Sequence, residues 1–484
     1  MRRLLERLHV DSRFIAILLH FRNYFSANIA QRALGFISLP VMTRLLVPGE
    51  YGIVSVFMSY LGILVVILSV NAHTSIGRYW YEQKDDFAAF MGTSLCLVAP
   101  ILVVSFIVFM AFRESLSHLF SLSTPLVILL LPFIMVNIVA SVFRQVYEPQ
   151  RKSGLIAKLS VTRAYLGFGV AVALVLTMEG QRYYGIIWGQ LIVGIAVSCI
   201  MIVLLVPHFK VAFSLRHMRY ILSYSVPLIP YALSGVILAQ FDRIMINSYI
   251  GSDAAGLYSV AYSIGMLLSL ANTALLAAWT PDYFAHMDSR DYGTLDADID
   301  RIFRLILITA MFLILFGQDV GFLLADAKYH VGLRIVPIVV FGYIFHALFQ
   351  IWGRNIGYAR KTIWAPIISF IAGFSNIGLN IIFIPKYGYV AGAYTTVASY
   401  MLMAFMGWAV SKYIVQLHTT PLRIVGKPFC ILLGLYGAEL VFARIEMAWW
   451  AMIGVKTIIF FIFCGTMVGR HIPGLFRNVT VTEP

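Results

Sequence analysis

Gly52-Ile53-Val54-Ser55-Val56-Phe57-Met58-Ser59 returns, inside a second hydrophobic stretch, as Gly256-Leu257-Tyr258-Ser259-Val260-Ala261-Tyr262-Ser263. The shared pattern is G-x-x-S-V-x-x-S, at an offset of 204 residues. Arg151-Lys152-Ser153 answers Arg360-Lys361-Thr362 at an offset of 209, and Tyr184-Gly185-Ile186 answers Ala391-Gly392-Ala393 at 207. A near-constant offset is the trace of a duplicated half. In a membrane protein such duplication points to a transporter with its substrate path between the halves. The motif itself, small residues at helical spacing, reads as close-packing scaffold.

Composition places the chain in a bilayer. It is 60% hydrophobic and 12% charged, with a mean hydropathy of +0.86. About fourteen apolar stretches are long enough to cross a ~30 Å hydrocarbon layer as helix. Their limits are 22–46, 52–74, 88–111, 123–147, 156–178, 183–206, 218–249, 254–280, 302–323, 334–357, 362–384, 389–414, 427–443 and 449–468. The expected fold is all-α: two six-helix lobes related by a pseudo-twofold axis along the membrane normal, plus two carboxy-terminal helices. The parallel relation follows because six spans, an even number, separate equivalent helices.

The expected division is a cytoplasmic amphipathic segment (1–21), an amino-terminal lobe (22–206), a cytoplasmic linker (207–217), a carboxy-terminal lobe (218–414), two further helices (427–468) and a cytoplasmic tail (469–484). The first 22 residues carry five arginines beside Leu4, Leu5 and Leu8, which suits an amphipathic helix rather than a cleaved signal. The net charge of +14 is topological. Most Lys and Arg residues fall on the amino-terminal side, which places both termini in the cytoplasm and assigns no nucleic-acid partner. Four cysteines, Cys96, Cys199, Cys430 and Cys464, lie in apolar spans without metal-ligand spacing and are expected to pack in the interior.

The longest loop is expected around Pro281 to Arg301 as a solvated linker, although Asp296-Ala297-Asp298 has the D-x-D form seen in sugar-nucleotide sites. The sequence has no P-loop, G-x-S-x-G or H-E-x-x-H. No catalytic residue, metal site or cofactor is therefore expected, and the protein is expected not to be an enzyme. Uphill work would draw on an ion gradient (proton or sodium), the membrane potential or the substrate gradient.

Polar side chains inside the spans mark the candidate site, because a charge at a helix centre costs about 2.5–3.5 kcal/mol and needs a partner, water or a function. Arg32 lies roughly 15 Å beyond Arg22 along a helix, with Asn28 one turn earlier. Arg163 sits in the fifth span. Gln240, Arg243 and Asn247 share a face of the seventh, and Asp242 there is the candidate for ion coupling. Tyr343, His346, Gln350 and Arg354 stripe the tenth. Asn71, Ser75 and Arg78 end the second span as Asn137, Ser141 and Arg144 end the fourth. Arg78 and Arg144 are assigned to the cytoplasmic entrance, and Asn28, Arg32, Arg163, Gln240, Arg243, Asn247, His346, Gln350 and Arg354 to a substrate cavity. The deep charges lean cationic and favour an anionic passenger, since guanidinium groups bind phosphate bidentately.

Leu39-Pro40-Val41-Met42-Thr43-Arg44-Leu45-Leu46-Val47-Pro48-Gly49-Glu50-Tyr51-Gly52 resembles the P-x-x-T-R-x-L-x-P-x-x-Y-G opening of Wzx-type polysaccharide flippases. Asp242-Arg243-Ile244-Met245-Ile246, Gly251 and Ala255-Gly256-Leu257-Tyr258 are similar to a second signature. This one is shared more loosely with MATE-type multidrug exporters and lipid II flippases, which belong to the same MATE-like superfamily. The resemblance covers about residues 20–415. It implies a V-shaped pair of lobes around a cavity that opens alternately to each side. It further implies transfer of an oligosaccharide unit on undecaprenyl pyrophosphate from the cytoplasmic to the periplasmic leaflet of a bacterial inner membrane, for lipopolysaccharide or exopolysaccharide synthesis beside a polysaccharide polymerase. The alternatives are a MATE-like drug or cation exporter, for which a cationic interior is the wrong sign, and a membrane polymerase or ligase, for which the outward loops are short.

Overall fold

The structure is a computed structural model that describes residues 34–83, 85–442 and 448–468. The amphipathic segment 1–21, Asn28, Arg32 and the tail 469–484 lie outside the described residues. The described residues are helical, with no strand among them, and include 11 helices long and apolar enough to cross a membrane. Their packing groups into two compact units, Met1–Gly256 and Leu257–Pro484.

The first unit holds α1 (Leu34–Leu45), α2 (Pro48–Leu68), α3 (His73–Glu82), α4 (Phe87–Ala111), α5 (Arg113–Phe120), α6 (Thr124–Tyr147), α7 (Ser153–Thr177), α8 (Tyr183–Leu205), α9 (Leu215–Ser225) and α10 (Ile229–Tyr249). α11 (Ser252–Gly265) crosses the division. Pro48, in the first turn of α2, separates it from α1. The turn is then closed by Glu50, whose carboxylate accepts from Val47 N at 3.3 Å and Arg182 N at 2.6 Å. Beside it, Met42, Leu46, Ala171, Val175 and Ile186 form an apolar core.

The packing of α10 against α2 groups α10 with the first unit. Gly62 of α2 makes room there, since a Cβ would lie 3.2 Å from Val236 and 3.6 Å from Gln240. Two expected spans are interrupted. The stripe Asn71, Ser75, Arg78 is not one helical face, because Val70 and Asn71 turn left-handed (φ 50° and 53°) and separate α2 from α3. The seventh span divides at Val226–Leu228, where Pro227 has no N–H to continue the helix.

The second unit continues with α12 (Leu267–Ser289), α13 (Tyr292–Leu324), a 3-10 segment (Ala327–Ile335), α14 (Val336–Tyr358), α15 (Trp364–Tyr387), α16 (Tyr389–Ala409), α17 (Leu422–Phe442) and α18 (Trp449–Val468). The loop expected at Pro281 to Arg301 is almost entirely helix. α12 runs to Ser289, and Asp291 starts α13 by accepting from Thr294 N at 3.1 Å. α17 and α18 pack on α13, where Lys456 Nζ meets Asp319 Oδ2 at 2.6 Å.

Each repeat correspondence returns as the same local structure. Ser59 and Ser263 both donate to the serine carbonyl four residues earlier at 2.8 Å. Arg151 and Arg360 both have φ 57°, and the lysine after each donates at 3.1 Å to the carbonyl five residues back, ending α6 and α14 alike. Left-handed Gln181 and Gly388 (φ 49° and 75°) precede α8 and α16 in the same way. The motif glycines are the closest-packed point: a Cβ on Gly52 would lie 1.9 Å from Ser252 O, and one on Gly256 would lie 1.9 Å from Pro48 O. The cysteines are not core residues. Cys96, Cys199 and Cys430 are exposed on helix surfaces of apolar spans, where the surroundings are lipid rather than water.

Candidate functional site

In the first unit, α1, α6, α7 and α8 enclose a polar cavity of about 690 Å³. A cavity of this size is within the range of ligand pockets. Arg163 projects into it from α7 and donates from Nη2 to Asn137 Oδ1 of α6 at 3.3 Å. Asn137 is itself fixed by donating to Phe133 O at 2.8 Å. Ser38, Ser141, Ser160, Gln190 and Arg144 complete the polar lining. The described lining has two arginines and no carboxylate. Gly194 on α8 packs beside this site, a Cβ there falling 3.0 Å from Val136 and in ordinary contact, 3.9 Å, with Arg163 Nε. Held by one amide among the described residues, this guanidinium keeps donors available for an anionic group.

The structure thus brings Arg163 and Arg144 together, along with the Asn137 and Ser141 stripe. Arg144 is at the rim, 60% exposed, with Glu148 Oε2 3.4 Å from its Nε. Arg78 is elsewhere, on α3, paired with Glu82 at 2.6 Å and 5.0 Å from the Tyr224 ring centroid. The hydrogen bonds from Arg78 and from the Tyr220 hydroxyl, at 2.7 Å, hold the Glu82 carboxyl below its ordinary value.

The α10 stripe forms a separate cluster. Asp242 is 1% exposed, and Arg243 and Asn247 are 9% exposed. Arg243 Nη1 donates to Ala239 O at 2.7 Å, and Asn247 Nδ2 to Ser121 O at 3.1 Å. Gln240 is half-buried beside Gly62.

The α14 stripe belongs to the second unit and is hydrogen-bonded largely within it. Gln350 Nε2 lies 3.4 Å from His346 Nδ1. Arg354 donates to Gln350 O at 2.7 Å, Leu276 O at 2.6 Å and Thr280 Oγ1 at 3.1 Å, and lies over the Trp279 ring. Tyr343 reaches the Tyr262 hydroxyl at 3.2 Å, on the second copy of the repeated motif.

Three features were missed in the sequence. Gln190 and Ser160 line the cavity, and Asp319 pairs with Lys456. The signal for the first two was visible: Ser160 is three residues before Arg163, and Gln190 interrupts an apolar span. Asp319 and Lys456 are isolated charges in apolar spans, but their sequence separation concealed the pairing.

The sequence profile of the polysaccharide biosynthesis protein family matches residues 22–287, more than half of the chain. An Lsg locus protein of Haemophilus influenzae is 22% identical over 424 residues, covering 80% of this chain and 97% of that protein. An uncharacterized membrane protein of Methanocaldococcus jannaschii is 28% identical over 222 residues, 42% of this chain and 41% of that protein's length. Among solved structures, the lipid II flippase MurJ in an inward closed conformation superposes with a TM-score of 0.71 at 15% identity, covering 93% of this chain and 99% of that one. An inward-facing MATE family multidrug transporter of the MOP superfamily gives 0.59 at 18% identity, covering 79% and 94%. The chain belongs to the polysaccharide biosynthesis protein family, and its helical membrane fold is the one shared by MurJ and the MATE transporters of the MOP superfamily.

Proposed function

We propose that the protein is a flippase that moves an oligosaccharide on undecaprenyl pyrophosphate from the cytoplasmic to the periplasmic leaflet of a bacterial inner membrane, by alternating access between the halves 22–206 and 218–414. The observation that carries this reading is the Arg163 cavity. Two arginines without a lining carboxylate suit a pyrophosphate, while Asn137, Ser141, Ser160 and Gln190 suit sugar hydroxyls. Arg32, Asn28, Gln240, Arg243, Asn247, His346, Gln350 and Arg354 are proposed as further contacts along the path. Arg78 is proposed for the cytoplasmic entrance. Asp242, a buried acid next to Arg243, is proposed to couple movement to a proton or sodium gradient. A polysaccharide polymerase would consume the delivered unit.

The test is reconstitution of the purified protein in vesicles carrying a fluorescent lipid-linked oligosaccharide, with leaflet exposure read by quenching. Wild-type protein should flip it. Arg163→Ala should slow flipping about tenfold or more, the loss of a charged hydrogen-bonding partner, and Arg163→Lys should retain part of the rate. An unchanged rate in Arg163→Ala would remove this cavity from the path. Ethidium efflux without glycan movement would favour an exporter, and sugar polymerisation by the purified protein an enzyme.

A further inference from the structure

A second charged cavity, of about 460 Å³, lies between α13 and α17 in the second unit. Its basic lining is Arg301 and Arg304 from α13 and Arg423 and Lys427 from α17, against Asp296 and Asp300. The carboxylates are already engaged. Asp300 Oδ2 pairs with Arg304 Nε at 2.8 Å, and Asp296 Oδ1 with His418 Nε2 at 3.0 Å. Arg301 pairs with Asp298, the other acid of the D-x-D, at 3.1 Å. Arg423 and Lys427, four residues apart and so on one helical face, make no side-chain hydrogen bond or ion pair among the described residues. A sugar-nucleotide metal site is not what these aspartates form; they hold a basic wall in place.

The position of this wall along its helices decides what would occupy it. Beyond Arg304, α13 is apolar from Leu305 to Phe316 apart from Thr309, and beyond Lys427, α17 is apolar from Phe429 to Leu435. The cavity therefore lies at the charged end of both apolar runs, the level that lipid phosphates occupy where such runs enter hydrocarbon. Ile424 and Pro428 add apolar surface to the lining. Basic pockets between transmembrane helices at that level take the phosphate groups of anionic lipids, and each interfacial Lys or Arg adds attraction to them. A free phosphate would satisfy the cations but leave the apolar walls without a counterpart.

We infer that the cavity between α13 and α17 is a binding site for the phosphate headgroup of a resident anionic phospholipid, held by Arg423 and Lys427 with Arg301 and Arg304 opposite. α17, the first of the two carboxy-terminal helices and outside the duplicated region, thereby gains a function as a lipid-binding wall.

The test uses the full-length protein in nanodiscs of phosphatidylethanolamine with a minor fraction of cardiolipin or phosphatidylglycerol, followed by native mass spectrometry. Wild-type protein should retain the anionic lipid. Arg423→Ala with Lys427→Ala should lower its retention about tenfold or more, two interfacial cations being lost. The charge-keeping pair Arg423→Lys with Lys427→Arg should retain it, which separates charge from folding. Equal retention by the alanine pair, or equal retention of phosphatidylethanolamine, would overturn the inference. Displacement of the lipid by millimolar inorganic phosphate would identify a soluble phosphate site and overturn the lipid assignment.

Discussion

Arg163 and Lys456 are both basic residues within apolar spans, yet their surroundings give them different tasks. Arg163 faces a polar cavity with an amide as partner, so its charge is available to a passenger. Lys456 faces Asp319 at 2.6 Å, with the two side chains 11% and 16% exposed, so its charge is consumed locally. Removing one member of such a pair strands the other charge in a low dielectric at about 3–5 kcal/mol, whereas replacing both by apolar residues of similar size is often neutral. Lys456→Met should accordingly lower the thermal unfolding midpoint in detergent more than Lys456→Met combined with Asp319→Leu. A double variant less stable than the single would show that the pair is net stabilising beyond its mutual neutralisation. Arg354 lies between these cases: one hydrogen bond goes to Gln350 on its own helix, and two, to Leu276 and Thr280, fix α14 to α12.

At the scale of elements, the tightest constraint is the crossing of α2 and α11 at Gly52 and Gly256. A methyl group on Gly52 would sit 1.9 Å from a backbone oxygen, which rotation of a flexible side chain cannot relieve. Gly52→Ala should therefore force the two helices apart and reduce both flipping and thermal stability. Gly454→Ala in α18, whose added methyl would meet nothing within 4 Å, should leave both unchanged. Wild-type stability in Gly52→Ala would mean that the crossing separates at little cost. Most helices were legible in the sequence, because a continuous apolar run of about twenty residues has one low-energy structure in lipid. The third span, read as 88–111, is Phe87–Ala111, and the last, read as 449–468, is Trp449–Val468. The breaks at Val70 and Pro227 and the helical form of Pro281 to Arg301 were not legible. Hydropathy registers burial in lipid but not backbone direction, and charged residues form helix beyond the membrane as readily as loop.

At the scale of the whole molecule, an even number of spans and the gathering of basic residues on one side predict that both termini face the cytoplasm. A cysteine added after Pro484, in a cysteine-free background, should react with a membrane-permeant maleimide in intact cells and resist an impermeant one. Labelling by the impermeant reagent would require an odd span count or the opposite orientation. The sequence alone determined the membrane class, the helical fold, the duplication and the family, because each rests on the order of residues along the chain: apolar run length, repeat offset and motif spacing. Tertiary structure decided which charges share a cavity and which neutralise each other. Arg163 meets Asn137 from 26 residues away, and Lys456 meets Asp319 from 137 away. Such pairings depend on how the helices pack, and helical periodicity fixes a side chain's face without naming the helix it will meet.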